Sequence, residues 1–153
     1  MKKSRVLSIG EMSSGTMRDE DLVPIFLDLC NELRLSKSDR AIVSRIRRYM
    51  CEPKSDYNAT AEYAIALWEM LENHCPPYCY FGSIEGDGAC YGVWPSVDMI
   101  LDDASNGEIR HIDKAEKGYR GYVVSISDHG NVTLYDRRAF GHGYKDTKIW
   151  SIV

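Results

Sequence analysis

Four stretches of the chain hold side chains that could do chemistry. Ser125, Ser127, Asp128 and His129 supply the parts of a nucleophile–base–acid relay almost consecutively. Neighbouring strand residues point to opposite faces, so adjacency in sequence does not assemble such a relay. None of these serines stands on the strand–elbow–helix turn that presents a hydrolase nucleophile. A turn histidine accounts for His129 with less. His74, Cys75, Cys79 and Cys90 could offer nitrogen and thiolate to zinc. A zinc site needs four converging ligands, and the usual CxxC knuckle is missing. The cysteines read as small apolar core residues, and no metal is expected. Gly82-Ser83-Ile84-Glu85-Gly86-Asp87-Gly88 could be imagined as a phosphate cradle. Its spacing fits neither nucleotide-binding fingerprint, no helix follows it, and its two acids would repel phosphate. A tight hairpin explains the glycines, and no cofactor is expected. Finally, Lys37, Arg40, Arg45, Arg47 and Arg48 could meet nucleic-acid phosphates. No set amounts to a named reaction, so the reading leans away from an enzyme.

The aromatic residues offer binding instead of catalysis. The chain has ten tyrosines and three tryptophans. Tyr78, Tyr80, Phe81, Tyr91 and Trp94 cluster on one hairpin. Strand alternation puts Tyr78, Tyr80 and Tyr91 on one face and Phe81 and Trp94 on the other. One face must pack on helices, and an aromatic face left to solvent is a basis for a binding hot spot. The candidate surface is Tyr78, Tyr80, Tyr91 and Trp94, rimmed by Glu85 and Asp87, with His129 and Asn131 of a second loop beside it. Core packing could absorb the same aromatics, and the two readings stay open.

These residues must be positioned by regular elements. Arg5–Ile9 reads as a short strand and Gly10–Gly15 as a polar loop. A helix is predicted from about Asp19 to Arg34, with Leu22, Ile25, Phe26, Leu29 and Leu33 at helical spacing. Thr16 or Asp19 can cap it, and Pro24 requires a start near Asp21 or a kink. Ser36 or Ser38 can cap a second helix to Met50, apolar through Ile42, Val43, Ile46, Tyr49 and Met50 and basic outside. A third, capped by Asp56 or Asn58, runs to about His74. It is apolar on most sides, so Leu67, Trp68 and Leu71 are expected in the core.

After Pro76-Pro77 the apolar period changes. Tyr78–Ile84 and Ala89–Trp94 read as a hairpin with a four-residue loop, setting Gly82 opposite Tyr91 and Gly92 opposite Phe81. Ser96 can cap a short helix to Asp103, with a turn at Asn106-Gly107 and a strand from Glu108 to Ile112. Tyr119–Ser127 and Val132–Asp136 form the clearest hairpin. A loop of His129-Gly130-Asn131 would set Ile126 opposite Leu134, with positive φ at Asn131. Phe140–Gly143 reads as a loop and Thr147–Val153 as a last strand. The class is α+β: N-terminal helices packed on a C-terminal antiparallel sheet of about five strands, in a single domain over 1–153.

The totals narrow the function classes. At 153 residues with 44% hydrophobic and 27% charged residues, the chain can bury a core. A net charge of −4 argues against a dedicated nucleic-acid binder. The basic N-terminus is followed by too short an apolar run for a signal peptide, and no stretch is long enough to span a bilayer. Five cysteines, an odd number, fit reduced thiols in a cytoplasm.

Thr16-Met17-Arg18-Asp19-Glu20-Asp21-Leu22, Gly86-Asp87-Gly88-Ala89-Cys90-Tyr91-Gly92-Val93-Trp94 and Asp128-His129-Gly130-Asn131-Val132-Thr133-Leu134-Tyr135 together resemble a group of small uncharacterised proteins encoded by bacteriophages and prophages. The resemblance implies a genomic context and no residue roles. The leading expectation is a non-enzymatic phage-type accessory protein that binds a host or defence protein in the bacterial cytoplasm. A homodimer through the same surface is open. The first alternative is a small-molecule or nucleotide-binding protein, even an enzyme, with its site at the sheet loops. The second is nucleic-acid binding through the basic helix 38–50.

Overall fold

The structure is a computed structural model that describes residues 3–51 and 57–153, with only the backbone of Tyr57. The chain forms two compact units, Met1–Trp94 and Pro95–Val153. The class is α+β; the described residues form three helices in the first unit and a fourth in the second. Among them are two sheets, of three and four strands, in place of one sheet of about five.

In the first unit, β1 is Gly10–Ser13, α1 Asp19–Glu32, α2 Lys37–Met50, α3 Tyr57–Glu72, β2 Cys79–Ile84 and β3 Asp87–Pro95. The first strand is thus the segment expected to be a loop, and Arg5–Ile9 is not a strand. Ser4 instead bridges to Leu33, and the Leu7 N–H donates to the His74 carbonyl at 2.8 Å.

Helix α1 starts with acids at Asp19, Glu20 and Asp21, where the helix dipole favours them. Arg18 is its N-cap, without a side-chain cap bond. Thr16 works one step earlier: its hydroxyl accepts from the Arg18 N–H and donates to Asp21. Pro24 lies beyond the first turn, and its exposed position leaves the displaced carbonyl partner on the solvent side. Leu22, Val23, Phe26, Leu27 and Cys30 are the buried stripe. For α2 the cap is Ser36, whose hydroxyl accepts from the Asp39 N–H at 3.1 Å. Asn58 lies inside α3 rather than capping it, and Asp56, the other candidate cap, lies outside the described residues. Helix α3 packs chiefly on α1 and also meets β2, burying Ala64, Leu67, Met70 and Leu71 in one core with Phe26, Phe81 and Val93.

The sheet order is β1-β3-β2. The β2–β3 turn is Glu85-Gly86 alone, two residues shorter than expected, with Gly86 at φ 86°. Gly82 is covered by Tyr80 and Trp68, and Gly92 by Trp94 and the backbone of β1. Gly10 pairs with Val93 and Glu11 with Gly92. A Cβ on Gly92 would stand 2.3 Å from the Gly10 carbonyl oxygen and 2.8 Å from the Trp94 ring. The backbone oxygen cannot step aside. Gly92→Ala should therefore cost about 1–3 kcal/mol of stability in urea unfolding. Gly88→Ala is the control, because its Cβ would meet only the flexible end of Met17 at 3.5 Å. Equal stability of the two variants would show that β1 does not press on β3.

In the second unit, α4 is Val97–Asn106, β4 Arg110–His111, β5 Gly121–Ile126, β6 Val132–Phe140 and β7 Gly143–Ile152. Gly107 ends α4 in the left-handed conformation, as the Asn-Gly turn suggested. The sheet order is β4-β5-β6-β7. β4 is only two residues long and runs parallel to β5, so the sheet is not wholly antiparallel. Val124, Leu134 and Trp150 form a buried cross-strand row. Ile126 pairs with Val132 rather than Leu134. The slip is two residues, so every side chain keeps its face. The loop carries its positive φ at Gly130, not Asn131.

The hairpin β6–β7 is longer than its apolar pattern suggests. It turns at Gly141-His142 and pairs Arg137 with Asp146. Arg137 is 1% exposed. Its guanidinium grips both Asp146 oxygens at 2.7 and 2.8 Å, donates to the Ala115 carbonyl at 3.2 Å and lies 3.9 Å from the centre of the Tyr144 ring.

Candidate functional site

On α3, Leu67 and Leu71 define the buried side. At 100° per residue, Ile65 and Trp68 fall on the arc of Glu62, Glu69 and Glu72. They are accordingly 58% and 40% exposed. Trp68 is the correction here, because a core position was expected. Next to the pair, a groove of about 150 Å³ is lined by Leu22 and Phe26 of α1, Ala64, Ile65 and Trp68 of α3, and Tyr91 of β3. Asp19, at the first turn of α1, is its one charged wall residue.

Packing fixes the floor. The Phe26 ring meets Phe81 edge-on at 5.1 Å and Tyr91 at 6.0 Å. Phe81 and Tyr91 therefore share the helix-facing side of the sheet, which corrects the expected grouping of Tyr91 with Tyr80 against Phe81. Glu72 is no solvated charge either. It is half-buried and accepts the Phe81 N–H, which occupies a backbone donor of the edge strand β2.

The other proposed binding residues divide. Tyr78 is half-buried and has φ 56°, directly after the two prolines. Tyr80 is half-buried, and its hydroxyl is pushed to higher pKa by burial and then by the Glu85 charge. Trp94 is held as scaffold, its indole N–H donating to the Gly82 carbonyl at 3.0 Å. Glu85 and Asp87 are exposed at the hairpin tip, where Asp87 accepts the Ala89 N–H. His129 and Asn131 belong to the second unit, in the loop closed by the Ser127 N–H on the Asn131 carbonyl. Tyr91 is the only one of the eight on the groove wall. Trp68 and Ile65 were missed, although the arc they share with three glutamates marked them.

The basic helix is partly spent inside the fold. Arg47 donates to the Leu27 carbonyl and to Asn31 of α1, and Arg40 to the Leu35 carbonyl. Lys37, Arg45 and Arg48 remain exposed. All five cysteines are free thiols, and among the described residues no three His, Cys, Asp or Glu side chains converge to hold a metal. Among the described residues no helix is long and apolar enough to cross a membrane.

Burial pushes the Cys75 and Cys79 thiols up to about 12, with the charge of Glu72 adding to the effect at Cys75. Burial pushes Cys30 to about 11. The thiolate is the reactive form, so these three should be inert at pH 8. Exposed Cys51 should react first with a disulfide reagent on the native protein. Rapid labelling of Cys75 or Cys79 at that pH would refute the assignment. The same shifts act on stability: above pH 9 the unfolded chain loses thiol protons that the folded chain keeps up to about 12. Stability should fall across that window.

Compared with protein-family models, curated proteins and solved structures, the chain matches none.

Proposed function

We propose that the chain is a binding protein without catalytic activity, and that it docks a partner protein on the groove between α1, α3 and β3. The observation that carries this is the exposure of Ile65 and Trp68 beside a preformed aromatic-floored groove. Large apolar groups left in water beside a cleft gain by being covered. Tryptophan is among the residues that most often dominate interface energetics. Asp19 on the wall, with Glu20, Asp21 and Glu69 exposed on the same helices, favours a partner whose apolar anchor is flanked by Lys or Arg. The resemblance to phage-encoded proteins supports a bacterial host or defence protein as that partner, and a bacterial cytoplasm as the place of binding. Two cations of the basic helix being tied to the fold speaks against nucleic acid.

The test compares wild-type protein with Ile65→Asp in parallel affinity captures from bacterial lysate, followed by direct titration of the captured protein. Ile65 is mostly in water, so melting should shift little, whereas binding should weaken by at least about tenfold. Trp68→Ala should repeat the loss. Undiminished binding by both variants would refute the groove. Concentration-dependent self-association lost in the same variants would replace the foreign partner with a second copy of this chain.

A further inference from the structure

The second unit has two recesses walled by basic residues, and they differ in one respect. The first, of about 510 Å³, is lined by Arg120, Arg137 and Arg138. Each of their guanidiniums is committed. Arg137 holds Asp146, Arg138 pairs with Asp136 at 2.6 Å, and Arg120 donates to the carbonyls of Lys117, Tyr119 and Gly143. That recess is bracing. The other, of about 310 Å³, lies where α4 runs into β4 and the segment after it, and is lined by Arg110, His111, Lys114, Glu116 and Tyr119 over Ala104 and Ile109. Among the described residues, the side chains of Arg110, His111 and Lys114 have no ion pair or hydrogen bond.

Three uncommitted nitrogen-bearing side chains on one concave wall are unusual in a chain of net charge −4. Of the acids nearby in sequence, Asp102, Glu108 and Asp113 form no ion pair with this wall among the described residues. The Arg110 guanidinium stands 4.0 Å from where a Cβ of Gly107 would be, at the C-terminal end of α4, where the helix dipole favours a cation. The dipole thus explains how a cation is held at the rim, but not why two more nitrogen-bearing residues line the same recess. Arg offers a planar fork that matches phosphate oxygens, and Lys and His add point donors. The volume is at the lower end of small-molecule sites. Buried Ile109 and the half-buried Tyr119 ring give the apolar surface, with the Tyr119 hydroxyl fixed on the Tyr122 carbonyl at 3.2 Å. Glu116, the one carboxylate on the wall, can only accept hydrogen bonds when ionised, which suits a ligand hydroxyl.

We infer that this recess binds a small phosphate monoester that carries hydroxyl groups, of about sugar-phosphate size. Arg110, His111 and Lys114 take the phosphate, and Glu116 takes a hydroxyl.

The experiment is calorimetric titration of the full chain with ribose 5-phosphate, ribose, inorganic phosphate and a twelve-nucleotide RNA. Ribose 5-phosphate should bind, and ribose should not. Arg110→Gln and Lys114→Gln should each weaken binding by about tenfold or more, since each removes a charged hydrogen bond to phosphate. Both residues are exposed, so melting should be unchanged. Glu116→Gln should leave inorganic phosphate binding intact or stronger while weakening ribose 5-phosphate relative to it. Three results would overturn the inference: no binding of ribose 5-phosphate at millimolar concentration, equal binding by the Arg110 and Lys114 variants, or RNA binding tighter than the monoester through the same residues. Inorganic phosphate binding as tightly as ribose 5-phosphate would also overturn it, by removing the hydroxyl-bearing part.

Discussion

Arg137→Met should destabilise the second unit by about 3–5 kcal/mol, the cost of leaving a buried charge without its partner. The side chain is 1% exposed, and it joins three elements of the unit at once. Its fork closes on Asp146 of β7, its Nη1 reaches the Ala115 carbonyl, and Tyr144 covers it. Removing the guanidinium strands the Asp146 carboxylate, which is itself only 17% exposed. It also takes the donor from a carbonyl in the segment that follows β4. Asp146→Asn should be milder, because an amide oxygen can still accept from Arg137. Arg137→Met combined with Asp146→Leu should recover much of the loss, since an apolar pair of similar volume can replace a buried ion pair. The readout is amide hydrogen exchange in β6 and β7, which reports this unit by itself. A single variant within about 1 kcal/mol of wild type would mean that the pair is solvated in practice.

Leu67→Ala should cost about 2–5 kcal/mol in the first unit. Leu67 is fully buried on α3, in the core that α1 and the sheet share. Ile65→Ala, two residues away on the same helix, should change stability by less than about 1 kcal/mol, because its side chain is mostly in water. Urea unfolding of both variants checks the contrast. Similar losses would mean that α3 is turned differently on α1.

How much of this was legible follows from what each reading relied on. Helix periodicity placed α1, α2 and α3 within a few residues, because one side of each is buried and the 3.6-residue period records it. Strand faces in β5 and β6 were also readable, while their register was not. Apolar alternation fixes parity alone, and Ile126 opposite Leu134 or Val132 satisfies it equally. Strand lengths failed where polar residues carry the ladder. Arg137-Arg138-Ala139 and Tyr144-Lys145-Asp146 fall outside the expected strands, yet Arg137 and Asp146 are a cross-strand pair whose value lies in each other. At the candidate site, the aromatic hairpin drew attention to residues that turned out half-buried or tied down. The exposed pair was hidden inside a helix judged by composition. Counting apolar residues made α3 a core helix, whereas projecting them at 100° per residue separates Leu67 and Leu71 from Ile65 and Trp68. β1 was unreadable locally, because Gly10–Ser13 has no apolar alternation and is a strand only by virtue of β3.

That dependence of β1 on β3 has a temporal side. Gly10 pairs with Val93, almost the whole length of the first unit away in sequence. Closing so long a loop delays the contact until the chain between has ordered, which raises contact order and slows folding. During synthesis, β1 leaves the ribosome first among the strands yet has nothing to pair with until β3 follows. Once β3 has emerged it can form a hairpin with β2 at once, and until β1 docks, its other edge is open to any strand in reach. The second unit meets no such wait, because β5, β6 and β7 each pair with the strand that came just before. The two halves of one short chain thus run on different clocks, and the slower one is the half that carries the groove.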